Sequence, residues 1–258
     1  MAVTFQSNIA VKGGRVKSNA VSSCNLVERR SVVKEIFRYQ IWHLLFLIIF
    51  IAAMQIIIIY NGNAMNGTLW GISTKKWFWI AIGVPILHQI YVWIIWRLEL
   101  YNSTFTSRYG VERSFKLYAF GFSILFVGRL ISIIILGVSN QDSLLINPYF
   151  VYLLAAVITP IVIYLFYSVK KYFTIERAYG IDHFDKNYNK PYVKGGIFRF
   201  TDNGMYVYGL MILYLPGLLL FSKAALVVAL FNHIYIWVHY YCTERPDMKV
   251  IYGKMPFN

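Results

Sequence analysis

Six apolar runs alternate with polar stretches along the chain. Residues 41–60, 77–96, 117–138 and 148–167 each reach the length, about 20 residues, that a bilayer-spanning helix needs. Residues 205–221 and 224–241 are shorter, and only Ser222 and Lys223 separate them, which predicts a tight helical hairpin. None of the runs alternates apolar and polar residues with period two, so membrane strands are a poor fit. The pattern predicts an all-α integral membrane protein of about six transmembrane helices with a C-terminal helical hairpin. It divides the chain into a basic flexible tail at 1–38, four helices at 39–167, and a C-terminal region at 168–258 that holds the hairpin and a polar tail. Ser, Asn, Gly, Lys and Arg dominate residues 1–30. The first apolar run is too long for the core of a signal peptide.

Charge orients these helices. The chain of 258 residues carries 25 Lys and Arg against 11 Asp and Glu, a net +14. Counted between the runs, 21 of the Lys and Arg fall on alternate segments that share one side, three fall on the other, and Arg129 lies inside a run. The positive-inside rule then puts both termini in the cytosol. The bacterial inner membrane or the endoplasmic reticulum is the expected location. A soluble protein this basic would suggest nucleic acid, but cations flanking apolar runs suit anionic headgroups instead. The expected partners are the bilayer and a lipid, with no nucleic acid; the oligomeric state is left open. Composition supports the same class, with 58% hydrophobic residues against about 45–50% in soluble domains. Cys24 and Cys242 fit no metal site and no disulfide framework, and no metal is expected.

Two polar stretches flank the hairpin. Before it lie Gly196, Arg199, Asp202, Asn203, Gly204, Met205 and Tyr206; after it lie His239, Glu244, Arg245 and Pro246. Taken alone, the first reads as a capped helix entry with Asn203 as N-cap, and the second as a surface cluster with Pro246 stopping the helix. An antiparallel hairpin brings both stretches to one face. Together they resemble the superfamily of isoprenylcysteine carboxyl methyltransferases and phospholipid N-methyltransferases. That family's first element, G-x-[FY]-R-x-x-R-H-P-x-Y, is met by Gly196, Phe198, Arg199 and Tyr206, with Asp202, Asn203 and Gly204 in place of R-H-P. Its second element, E-E-P-x-L-x-x-x-[FY]-G, is met by Glu244, Pro246, Tyr252 and Gly253, with Met248 for Leu and Arg245 for the second acid.

The resemblance implies a methyltransferase that uses S-adenosylmethionine on a membrane-resident acceptor, foremost a phosphatidylethanolamine amine. It implies a cofactor pocket formed by Gly196, Arg199, Asp202, Asn203, Gly204, Met205, Tyr206, Glu244 and Arg245. Arg199 would pair the cofactor's carboxylate, and Glu244 its ammonium. Glu244 and His239 are the candidate catalytic residues, His239 as a proton acceptor near neutral pH. Prenylated cysteine carboxylate is a second acceptor. A nicotinamide-dependent, sterol-type reductase is the rival enzyme, and a transporter or membrane partner protein the rival outside enzymes. Arg129, inside the third run, is expected to face the bundle. There it anchors neighbouring groups or holds a phosphate headgroup, and the structural role is the first expectation. His88 and Gln89 are expected to bond between helices.

Overall fold

The computed structural model describes residues 31–188, 190–191 and 193–253; Cys24 and the tail at 1–30 lie outside them. Five long apolar helices dominate. They are α1 (Gln40–Tyr60), α2 (Thr74–Asn102), α3 (Val111–Ser139), α4 (Pro148–Ser168) and α5 (Lys223–His239), which passes through one π-helical turn, Tyr240–Glu244, into α6 (Arg245–Tyr252). Each has the length and composition to cross a membrane, α5 and α6 counted as one helix over Lys223–Tyr252. Residues 31–36, placed in the tail by sequence, are helical.

The fifth apolar run differs from the others. It forms Gly204–Leu219, a chain of short α and 3-10 turns. Its 16 residues reach about 24 Å at 1.5 Å each, short of the ~30 Å hydrocarbon core. Glycine and proline explain the interruption. A Cβ at Gly209 would fall 2.8 Å from the Leu165 side chain, and one at Gly217 would fall 2.8 Å from Leu226, so the backbone lies directly on α4 and α5. Pro216 supplies no amide to continue a helical ladder.

This broken segment runs back along α5, as the hairpin pattern predicts. Tyr206 lies beside Tyr240, Tyr214 beside His233, and Gly217 beside Leu226. The turn is held from outside itself. Ser222 Oγ accepts from Ala225 N at 3.2 Å, capping α5, while Asn140 Oδ1 accepts from both Ser222 Oγ and Ala224 N.

The core joins α2, α3 and α5 through fully buried Phe78, Ala81, Ile133, Leu136, Ala225 and Val228. Small residues on α5 let its backbone approach α2 and α3 closely, the usual device where lipid offers no hydrophobic drive to association. By contrast α1 buries only Gln40, His43 and Ile58 and presents leucines, isoleucines and phenylalanines outward, a surface suited to lipid. Its two buried polar residues, Gln40 and His43, fasten it. His43 Nε2 bonds Tyr235 Oη at 2.7 Å, and Gln40 Nε2 donates to Cys242 O at 3.2 Å.

Candidate functional site

The π-helical turn sets the site. Such a turn widens the helix and leaves a carbonyl out of the ordinary ladder. Cys242 O is satisfied from outside, by Arg97 Nη2 at 2.9 Å and by Gln40. The extra residue rotates Glu244 toward the broken segment, where Tyr206 Oη donates to Glu244 Oε2. Pro246 does not stop the helix. It occupies the first turn of α6, where a missing N–H costs nothing.

Arg97 locks this arrangement. Its side chain is fully buried, with Nε on both oxygens of Asp247 at 3.1 and 3.3 Å. Its Nη1 donates to the carbonyls of Glu35, Ile36 and Arg38 at 3.2, 3.0 and 2.6 Å. One guanidinium thus ties α2 to α6 and to the chain entering α1. Asp247 also faces His183 Nε2 at 3.7 Å. His183 Nδ1 lies 3.2 Å from Asp182, and Asp182 accepts from Tyr252 Oη at 3.0 Å. Burial lowers the His183 pKa, but Asp182 and Asp247 outweigh burial and raise it to about 9. Burial likewise works against an ionised Asp182, yet its bonds from His183 and Tyr252 hold it below the usual carboxylate range. Trp96, itself buried, stacks on the His183 ring at 4.1 Å.

Two cavities open around this framework. The polar one, about 480 Å³, is lined by Asp202, Asn203, Met205, Tyr206, Glu244 and Arg245 and closed by Asp182, Arg177, Lys190 and several aromatic rings. The apolar one, about 260 Å³, is lined chiefly by aromatic and aliphatic side chains together with His88, Gln89, Arg129 and His239. Trp96, Ala178, Met205 and Tyr206 belong to both and form the wall between them.

The structure therefore gathers Asp202, Asn203, Met205, Tyr206, Glu244 and Arg245 at one cavity and places His239 at its neighbour. The remaining three residues do not line either. Arg199 is exposed, its Nε donating to Gly196 O at 3.2 Å. Gly196 is buried with φ +58°, and a Cβ there would fall 2.5 Å from Ser168 Oγ. Gly204 packs under the Phe198 ring. Asn203 makes no side-chain cap; only its carbonyl accepts, from Tyr206 N and Val207 N. Asp182, Arg177, Lys190, Phe173 and Trp96 were missed by sequence reasoning. No local motif marks them, because they lie outside both elements. Among the described residues no cluster of three or more His, Cys, Asp or Glu is placed to hold a metal.

No curated protein and no solved structure matches this chain. The family model described as phospholipid methyltransferase does match, over residues 148–255, the segment that contributes the hairpin, both polar elements and most of the polar cavity. That match bears out the resemblance read from the sequence: the C-terminal region carries the phospholipid methyltransferase pattern, and the family suggests a membrane methyltransferase.

Proposed function

We propose that this protein methylates a membrane-resident acceptor with S-adenosylmethionine, the acceptor being the amine of phosphatidylethanolamine or its partly methylated forms, at a site facing the cytosol. The supporting observation is the pairing of a polar cavity built by the two family elements with an apolar cavity across a shared wall. The polar cavity suits the cofactor. Its volume, about 480 Å³, falls in the usual range for small-ligand sites. Glu244 supplies a carboxylate for an ammonium, and Arg245, which makes no ion pair among the described residues, supplies a guanidinium for a carboxylate. Arg177 and Lys190 stand by as further cations, so that the role expected of Arg199 passes to other side chains. Tyr206, Tyr240 and Tyr241 offer faces that favour a cation.

When bound, S-adenosylmethionine supplies an electrophilic methyl carbon on a sulfonium, whose carbon–sulfur bond breaks with its electrons left on sulfur. The chain's own part is positioning and proton handling. The Tyr206–Glu244 bond fixes one face of the wall, so both groups meet the ligand already oriented. His239, 2% exposed and with Nδ1 unpartnered, lines the apolar cavity. It takes the proton that an ammonium headgroup must lose before its nitrogen can attack. The aromatic walls exclude water from that nitrogen.

The test is to incubate purified protein with methyl-labelled S-adenosylmethionine and a total lipid extract. Label in N-methylated phosphatidylethanolamine is the expected result. Label in a methyl ester would move the acceptor to a prenylated cysteine carboxylate. Tight NADPH binding without S-adenosylmethionine binding would overturn the reading altogether.

A further inference from the structure

Arg129 lies within membrane-spanning helix α3, 3% exposed, and its side chain makes no hydrogen bond or ion pair among the described residues. The sequence reading expects it to anchor neighbouring groups. It anchors none with its guanidinium; the one bond at this residue runs from Ser132 Oγ to its backbone carbonyl at 2.9 Å. Beside it on the same cavity, His88 of α2 is 3% exposed with neither ring nitrogen bonded, and His239 of α5 has a free Nδ1. Among the described residues no carboxylate lines this cavity.

A guanidinium held in an apolar bundle without an anion is costly. Three separate helices nonetheless direct nitrogens without hydrogen-bond partners into one space, and Arg129 and His88 bring donors there. Such a set is complete only when an oxyanion enters. The space, about 260 Å³, is smaller than the ~300–1,000 Å³ of sites that enclose a whole drug-sized ligand. It takes a headgroup while acyl chains stay in the bilayer.

We propose that Arg129, supported by His88, grips the phosphodiester of the acceptor lipid in the apolar cavity. The lipid's amine is then directed at the wall of Met205 and Tyr206 and the imidazole of His239. This rests on the polar cavity being the cofactor's. Arg129 and His88 lie outside the matched family segment at 148–255, so the proposal assigns acceptor recognition to the N-terminal helices. A guanidinium fork matches two phosphate oxygens at once, and a neutral imidazole adds one donor. Binding the phosphate two carbons from the nitrogen fixes the nitrogen's position without holding it as a charged ammonium.

The experiment measures lipid retention by native mass spectrometry in detergent. The lipids are phosphatidylethanolamine, phosphatidylglycerol and diacylglycerol. The unaltered protein retains both phospholipids over diacylglycerol. Arg129→Gln loses about tenfold in affinity for both phospholipids, leaves diacylglycerol unchanged and keeps its S-adenosylmethionine affinity. If that variant is not recovered folded, Arg129→Lys serves, since it keeps the charge and loses the fork; phospholipid affinity falls several-fold and diacylglycerol stays level. In turnover, KM for phosphatidylethanolamine rises about tenfold, while methylation of a phosphate-free long-chain alkylamine is unaffected. Equal phospholipid retention by Arg129→Gln, with only a lower melting temperature, would assign the residue to structure and overturn the proposal. So would displacement of phosphatidylglycerol by low-millimolar inorganic phosphate, which would make the site one for a free anion. Arg129-dependent lipid retention in a protein that transfers no methyl group would overturn the methyltransferase reading alone.

Discussion

Replacing Arg97 with Met removes the tie between α2, α6 and the entry to α1 while keeping much of the side-chain volume. The unaltered guanidinium satisfies Asp247 and the carbonyls of Glu35, Ile36, Arg38 and Cys242. In Arg97→Met, Asp247 keeps among the described residues only His183 at 3.7 Å as a cationic neighbour, and the carbonyls of Glu35 and Arg38 lose the bonds shown for them. Breaking a buried ion pair from one side costs about 3–5 kcal/mol. At about 2–4 °C per kcal/mol for a chain of this size, the apparent melting midpoint should fall by roughly 6–20 °C. Scanning fluorimetry in detergent measures it. Because α6 and the π-helical turn carry Glu244, S-adenosylmethionine affinity should fall in the same variant. Adding Asp247→Leu should recover a large part of the midpoint, since the stranded carboxylate is then gone. A midpoint within about 2 °C of the unaltered protein, or a double variant that loses the sum of both single losses, would refute this account of Arg97.

Four further outcomes are expected. Glu244→Ala should weaken S-adenosylmethionine binding about 10–100-fold, as loss of a charge-assisted bond of ~1.5–3 kcal/mol implies; calorimetry in detergent reads it, and unchanged affinity counts against the polar cavity as the cofactor's. Arg245→Ala should raise the same dissociation constant more than Arg199→Ala does, because only Arg245 lines the cavity; the reverse order would restore the role that the sequence elements imply for Arg199. The His183 pKa is raised from 6.5 to about 9, so its ionic contribution is complete below about pH 6.5 and is lost as pH rises through about 9, a loss of about 3 kcal/mol; Asp182, held below 3.8, loses its contribution only as pH falls beneath that value. The midpoint should therefore drop on the alkaline side, and His183→Gln should flatten the slope. Gly196→Ala should destabilise by about 1–3 kcal/mol, through a Cβ at positive φ pressed on Ser168 Oγ, which accepts from Ile197 N at 3.1 Å; an unshifted midpoint would show that the turn adapts freely.

The sequence by itself determined the all-helical membrane class, the bounds of α1, α4 and α5 to within a few residues, and the convergence of Tyr206 and Glu244. Those follow from local properties: the length of an apolar run, and a two-residue break that leaves a hairpin no other course. Tertiary structure decided what no local pattern encodes. It broke the run before Ser222 into short turns, because Gly209 and Gly217 rest against Leu165 and Leu226. It buried Arg97 and Trp96, which a hydropathy pattern assigns to the membrane edge, because Asp247 and His183 arrive there from about 150 and 90 residues further along the chain. It left Arg199 exposed, its Nε turned back on Gly196 O, and set Arg245 on the cavity, directly after the π-helical turn that sets which side chains face inward there. It also left Arg129 Nε, both His88 ring nitrogens and His239 Nδ1 facing one space without hydrogen-bond partners among the described residues. Such an arrangement depends on three helices packing side by side, and periodicity along any one of them carries no record of it.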